Sequence, residues 1–228
     1  MDGSGSILLR MSSSTHGAPS GSVAAKALLL IAVAVPLFPA GAWVREALQM
    51  YAMGLDAAFL GLYLPARLLA LIGLVLMFYQ FVLASRLSFV ERLYRRASLL
   101  KAHRTVGKIA YLLVLLHGVA MLAFDLVVAG EIFLFTEKTL GLIGLAGLSV
   151  AVVAAWFFKP LKLSLRQWRA IHLLTWLVFP IVVLHALALG TTTNSVPLVR
   201  ALFTALLVGY VALLLYRLNR LRRETKAG

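Results

Sequence analysis

The chain has 228 residues, of which 62% are hydrophobic and only 13% charged, with a mean hydropathy of +0.95. Soluble domains run nearer half apolar and a quarter charged, so this composition argues against a water-soluble globule. The apolar runs are long and unbroken, which disfavours a membrane barrel, and the lack of any cysteine excludes disulfides, thiolate zinc sites, iron–sulfur clusters and c-type heme.

In chain order, residues 1–25 form a Ser/Gly-rich tail without helical period, containing His16, and a disordered segment is expected there. Six apolar stretches follow at about 26–44, 64–85, 105–127, 139–158, 169–189 and 197–216. Residues 26–216 therefore predict an all-α integral membrane protein, a bundle of six transmembrane helices. Residues 217–228 make a basic tail. Reading the first stretch as a signal peptide, with Ala40-Gly41-Ala42 as its cleavage site, leaves the later spans unchanged.

The net charge of +14 would raise nucleic-acid binding in a soluble protein, but the charges sort by side. Only Arg45, Arg67, Lys138 and Arg200 of the 22 basic residues fall on one side, and the other 18 share the opposite side. By the positive-inside rule both termini are expected in the cytoplasm, and the basic surface is topological.

The third span carries His103 and His117, fourteen residues apart, and the fifth carries His172 and His185, thirteen apart. Either step is ~20 Å of helical rise. Both spans run in the same direction, so His103 is expected level with His172 near the cytoplasmic face, and His117 level with His185 near the outer face. Neutral imidazole is the usual axial ligand of b-type heme in membranes, and polar groups at that depth are functional candidates. Two stacked bis-histidine sites follow from topology and spacing. Rotation fits less well, because a thirteen-residue step lands ~140° around an ideal helix, and Pro180 is the one local distortion available. Spacing alone leaves open a bundle whose histidines only bridge helices.

The pattern His103-Arg104-x-x-Gly107, His117, Trp168-x3-His172 and His185 resembles the ferric reductase-like transmembrane domain over residues 26–216. That family includes the membrane halves of NADPH oxidases and ferric reductases. The resemblance implies two hemes b, the inner held by His103 and His172 and the outer by His117 and His185. It also implies electron flow from cytoplasmic NADPH and FAD to an external acceptor. The FAD- and NADPH-binding part of such enzymes is not among these residues, so FAD is expected only on a separate partner. A similar short relative is the heme-binding membrane subunit of the periplasmic methionine-sulfoxide reductase system. Its members typically lack a histidine at the position of His103.

Around these ligands, Arg104, Lys108 and Arg169 lie at the depth where inner-heme propionates would emerge, where membrane anchoring is the plainer role. Arg67 could meet an outer-heme propionate or an anionic acceptor, or snorkel to the interface. Tyr111 and Phe179 sit midway between the ligands of their helices. The expected protein is a multi-pass cytochrome b of the bacterial inner membrane. It would take electrons from a cytoplasmic flavoprotein or a membrane quinol, and pass them to ferric iron, oxygen or a periplasmic protein. The rival readings are a one-heme subunit serving a periplasmic methionine-sulfoxide reductase and a non-redox transporter. Transport ranks low because the prolines show no half-to-half pattern.

Overall fold

The computed structural model describes residues 22–227; the rest of the Ser/Gly-rich tail, with His16, lies outside the described residues. Among the described residues there is no strand, and six helical stretches are long and apolar enough to cross a membrane. The six-helix membrane bundle expected from the sequence is therefore the fold. The spans are longer than their apolar cores, because the polar ends continue as helix. The first, expected over 26–44, is α1, Val23–Ala52. The second is a π-helical turn, Phe59–Tyr63, that feeds α2, Leu64–Ala84. A short α3, Ser88–Leu93, leads to the third span, α4, Arg96–Ala129. The fourth span is α5, Thr136–Trp156. The fifth is divided into α6, Leu165–Leu173, and α7, Thr175–Leu189, and after a short α8, Thr191–Ser195, the sixth is α9, Pro197–Ala227.

Local chemistry marks the ends. Ser22 caps α1 by accepting from the Ala25 amide. Gly130 closes α4 in the left-handed region at φ 75°, a conformation that glycine adopts without a Cβ clash. A capping box starts α6: Ser164 Oγ accepts from the Gln167 amide, and Gln167 Oε1 accepts from the Ser164 amide.

The core lies between α2, α7 and α9, where Phe81, Trp176, Phe179 and Tyr210 meet edge-on or tilted at centroid distances of 4.8–5.6 Å. Leucines, valines and isoleucines such as Leu29, Leu30, Ile31, Leu112 and Leu177 point outward, as a lipid-facing exterior requires. α2 packs along α4, and α5 packs along α7. By contrast α4 does not pack closely on α6 or α7, although these two spans carry all four membrane histidines.

Prolines interrupt two spans without breaking them, and the cause is specific. A proline leaves the carbonyl four residues earlier without its helical donor. For Pro36 that carbonyl is Ala32, and Tyr79 Oη of α2 donates to it at 2.9 Å. For Pro180 it is Trp176, and Tyr210 Oη of α9 donates to it.

Candidate functional site

The four membrane histidines form two pairs. The rings of His103 and His172 stand 6.2 Å apart between centroids at an interplanar angle of 75°, and those of His117 and His185 stand 6.5 Å apart at 57°. The rotational mismatch on the fifth span is eased at Leu174. There the Leu174 amide bonds the Ile171 carbonyl and the Leu177 amide bonds the Leu174 carbonyl, a three-residue turn. Such a turn overwinds by about 20° per residue relative to α-helix, which moves His185 back towards the face of His172. Thr175 Oγ1 donates to the His172 carbonyl at this joint.

The His117–His185 pair is held by main chain on both sides. His117 Nδ1 lies 3.0 Å from the Ala66 carbonyl, and His185 Nδ1 lies 2.7 Å from the Glu137 carbonyl. A carbonyl only accepts, so both Nδ1 atoms carry the proton and donate, leaving each Nε2 with a free lone pair. Gly141 makes this possible, since a Cβ there would stand 2.7 Å from the His185 ring. It sits one turn after Glu137 in α5.

Partners of the other pair are side chains. Trp168 stacks on His172 one turn below it, with centroids 5.6 Å apart and planes within 9°, as i, i+4 neighbours on α6 can. His172 Nδ1 is buried and has no hydrogen-bond partner. The carboxamide of Gln80, on α2, lies against His103.

A cavity of about 610 Å³ opens beside His117 and His185, lined mostly by apolar side chains with Tyr63, Arg67, Asp125, Lys138 and Thr191–Thr193 at its polar end. Arg67 does not snorkel. It is buried and ion-paired with Glu46, and it donates to Thr192 Oγ1 at 2.6 Å, which in turn donates to Glu46 Oε2 at 2.7 Å. Its guanidinium also lies 5.3 Å from the Tyr63 ring centroid. Two buried polar atoms along this wall, Arg67 Nε and Thr193 Oγ1, have no partner. Lys138 pairs with Asp125 between α5 and α4. Arg104, Lys108 and Arg169 are exposed on the spans carrying His103 and His172. Tyr111 donates to Ser149 Oγ at 3.2 Å, and Phe179 is fully buried in the aromatic core.

Sequence reasoning does not find Glu46, Gln80 or Gly141. Gly141, Gly144 and Gly147 form a legible stripe at three-residue spacing, and Cβ atoms at the latter two would collide with Val182 and Val178 of α7. Gln80 is the lone carboxamide in an apolar span, which is itself a signal.

The donor set can be tested against an axially ligated iron. Metal–imidazole bonds of about 2 Å on each side, plus two ring radii, put such centroids roughly 6.4 Å apart. Both pairs stand within a few tenths of an ångström of that value. Among the described residues no group of three or more His, Asp or Glu side chains converges. The cavity at His117 and His185 is of a size that takes an organic cofactor.

The family model described as ferric reductase like transmembrane component matches residues 69–183, half of the chain. The match contains His103, His117 and His172 and stops two residues short of His185. No curated protein and no solved structure matches the chain.

Proposed function

The chain belongs to the ferric reductase-like transmembrane family, whose general function is electron transfer across a membrane. On that premise we propose that it is a two-heme membrane cytochrome b, with His103 and His172 at an inner heme and His117 and His185 at an outer one. Heme supplies reversible one-electron chemistry at its iron. The protein contributes neutral imidazoles at fixed separation, and the observation that carries the reading is the pair geometry, with both outer Nδ1 atoms committed to carbonyls. Arg67 Nε and Thr193 Oγ1, buried and unpartnered along the cavity wall, suit an outer-heme propionate. Arg104, Lys108 and Arg169 are exposed where inner propionates would surface.

The lopsided distribution of basic residues supports placing the His103 end and both termini in the cytoplasm of a bacterial inner membrane. The basic segments 86–101 and 159–167 at that end suit docking of an acidic flavoprotein surface as donor; a membrane quinol is the alternative source. The acceptor on the other side is ferric iron, oxygen or a periplasmic protein. One asymmetry favours a second reading, a one-heme subunit delivering electrons to a periplasmic methionine-sulfoxide reductase: only the outer pair has main-chain acceptors on both imidazoles.

Purified chain from a heme-replete host is expected to show low-spin b-type bands and two hemes per chain. His117→Ala and His103→Ala are each expected to remove one heme. A count of one that survives His103→Ala selects the one-heme reading, and no heme at all overturns the cytochrome assignment.

A further inference from the structure

The observation left over from the site is a carboxylate. Glu46 stands towards the C-terminal end of α1, and its side chain is only 14% exposed, against 8% for Arg67. A buried carboxylate is costly unless it is fully engaged. Three donors from two other elements engage this one. Arg67 of α2 forms the ion pair, Thr192 Oγ1 of α8 donates to Oε2 at 2.7 Å, and Ser195 Oγ donates to Oε1. Arg67 also donates to Thr192 Oγ1, which closes a ring of three side chains. The same guanidinium keeps its Nε buried and without a partner, and it lines the cavity beside His117 and His185. Ala66, the residue before it, supplies the carbonyl that lies 3.0 Å from His117 Nδ1. The wall of the outer site thus contains a cation, and that cation brings its own counter-charge from another helix.

We propose that Glu46 is the positioning residue of Arg67, and that its charge lowers the midpoint potential of an iron centre held by His117 and His185. The inference rests on a heme at that pair, which the two-heme and one-heme readings share. An arginine that only bound an anion would need no carboxylate beside it, since Glu46 offsets much of its attraction. The pair makes sense as a setting of charge. In a poorly hydrated site a charge acts on a neighbouring redox centre with little screening, and a negative one favours the oxidised iron. With Nε engaged by a propionate, Arg67 is shared between two carboxylates, and the group carries one negative charge. Without Glu46 the same group is neutral. The carboxylate therefore makes the outer centre the stronger reductant, which suits the centre nearest the acceptor.

The test is a potentiometric titration of the purified full chain, followed optically and by electron paramagnetic resonance. It compares wild type, Glu46→Gln and the double variant Glu46→Gln/Arg67→Gln, and the centre in question is the one lost in His117→Ala. Glutamine removes the charge and keeps the bonds: its oxygen accepts from Arg67 and Thr192, and its amide N–H donates to Ser195 Oγ. Arg67→Gln alone strands a buried carboxylate, so the cation is removed only once position 46 is neutral. Glu46→Gln is expected to shift the outer midpoint upward and the double variant to bring it back down, with any second centre unmoved. An upward shift in Glu46→Gln with heme lost only from the double variant also supports the inference, since Arg67 then holds the anion whose charge Glu46 supplements. An unmoved or lowered potential in Glu46→Gln, an upward shift that the double variant retains, an equal shift of two centres, or loss of the outer heme in Glu46→Gln overturns it. A role in packing alone predicts those results. A wild-type heme count that His117→Ala leaves unchanged overturns the placement of heme at that pair, and this inference with it.

Discussion

At Gly141 the absence of one carbon atom decides where an imidazole sits. The His185 ring occupies the volume that a Cβ would need, and the neighbouring turn of α5 presents the Glu137 carbonyl to Nδ1. On the two-heme reading, Gly141→Ala is therefore expected to displace His185 and remove or distort the outer heme while sparing the inner one. Heme per chain and the resonance spectrum would check this; an unchanged outer signal would show that the ring has slack. Arg67 illustrates what a single sequence conceals at this scale. Its isolation among apolar neighbours is legible, but its partner is not. Glu46 lies beyond the apolar core of the first span and is carried into place because α1 runs on to Ala52. A pairing of that range has no local pattern to announce it.

Among whole elements, the spans and the levels of the histidine pairs are legible, because hydropathy fixes the spans and parallel passage fixes the depth. Rotation about each helix axis is not legible, since it depends on small departures from ideal winding. The turn at Leu174 is one, and nothing in that residue's type signals it. The proline repairs are another case: Pro36 and Pro180 are plain in the sequence, whereas Tyr79 and Tyr210 become their partners only through packing. A consequence can be measured. Tyr210→Phe leaves the Trp176 carbonyl without a donor, at a cost of about 1–3 kcal/mol. In a Pro180→Ala background the backbone N–H that proline lacks is restored and can take over that bond, so the same Tyr210→Phe change is expected to cost less. A double-mutant cycle on unfolding in detergent reads the difference. Equal costs in the two backgrounds would mean that the hydroxyl matters for some other reason.

Taken as a whole, the molecule has a seam. α1, α2 and α4 pack as one group, and α5, α6 and α7 as another. Only modest contact joins α4 to α5, while α2 and α9 meet α7 across the aromatic core. Along the rest of the seam, where α4 faces α6 and α7, the imidazole pairs stand opposite one another without close helix packing behind them. A group held from both sides of that seam acts as mortar as well as wiring, because its binding energy opposes separation of the two groups of helices. On the two-heme reading, the chain's lifetime in a cell becomes a gauge of porphyrin supply. Pulse-chase in heme-starved cells is expected to show faster turnover than in replete cells. The variant with all four membrane histidines changed to alanine should be short-lived in both, and a lifetime indifferent to heme would mean the seam holds by itself.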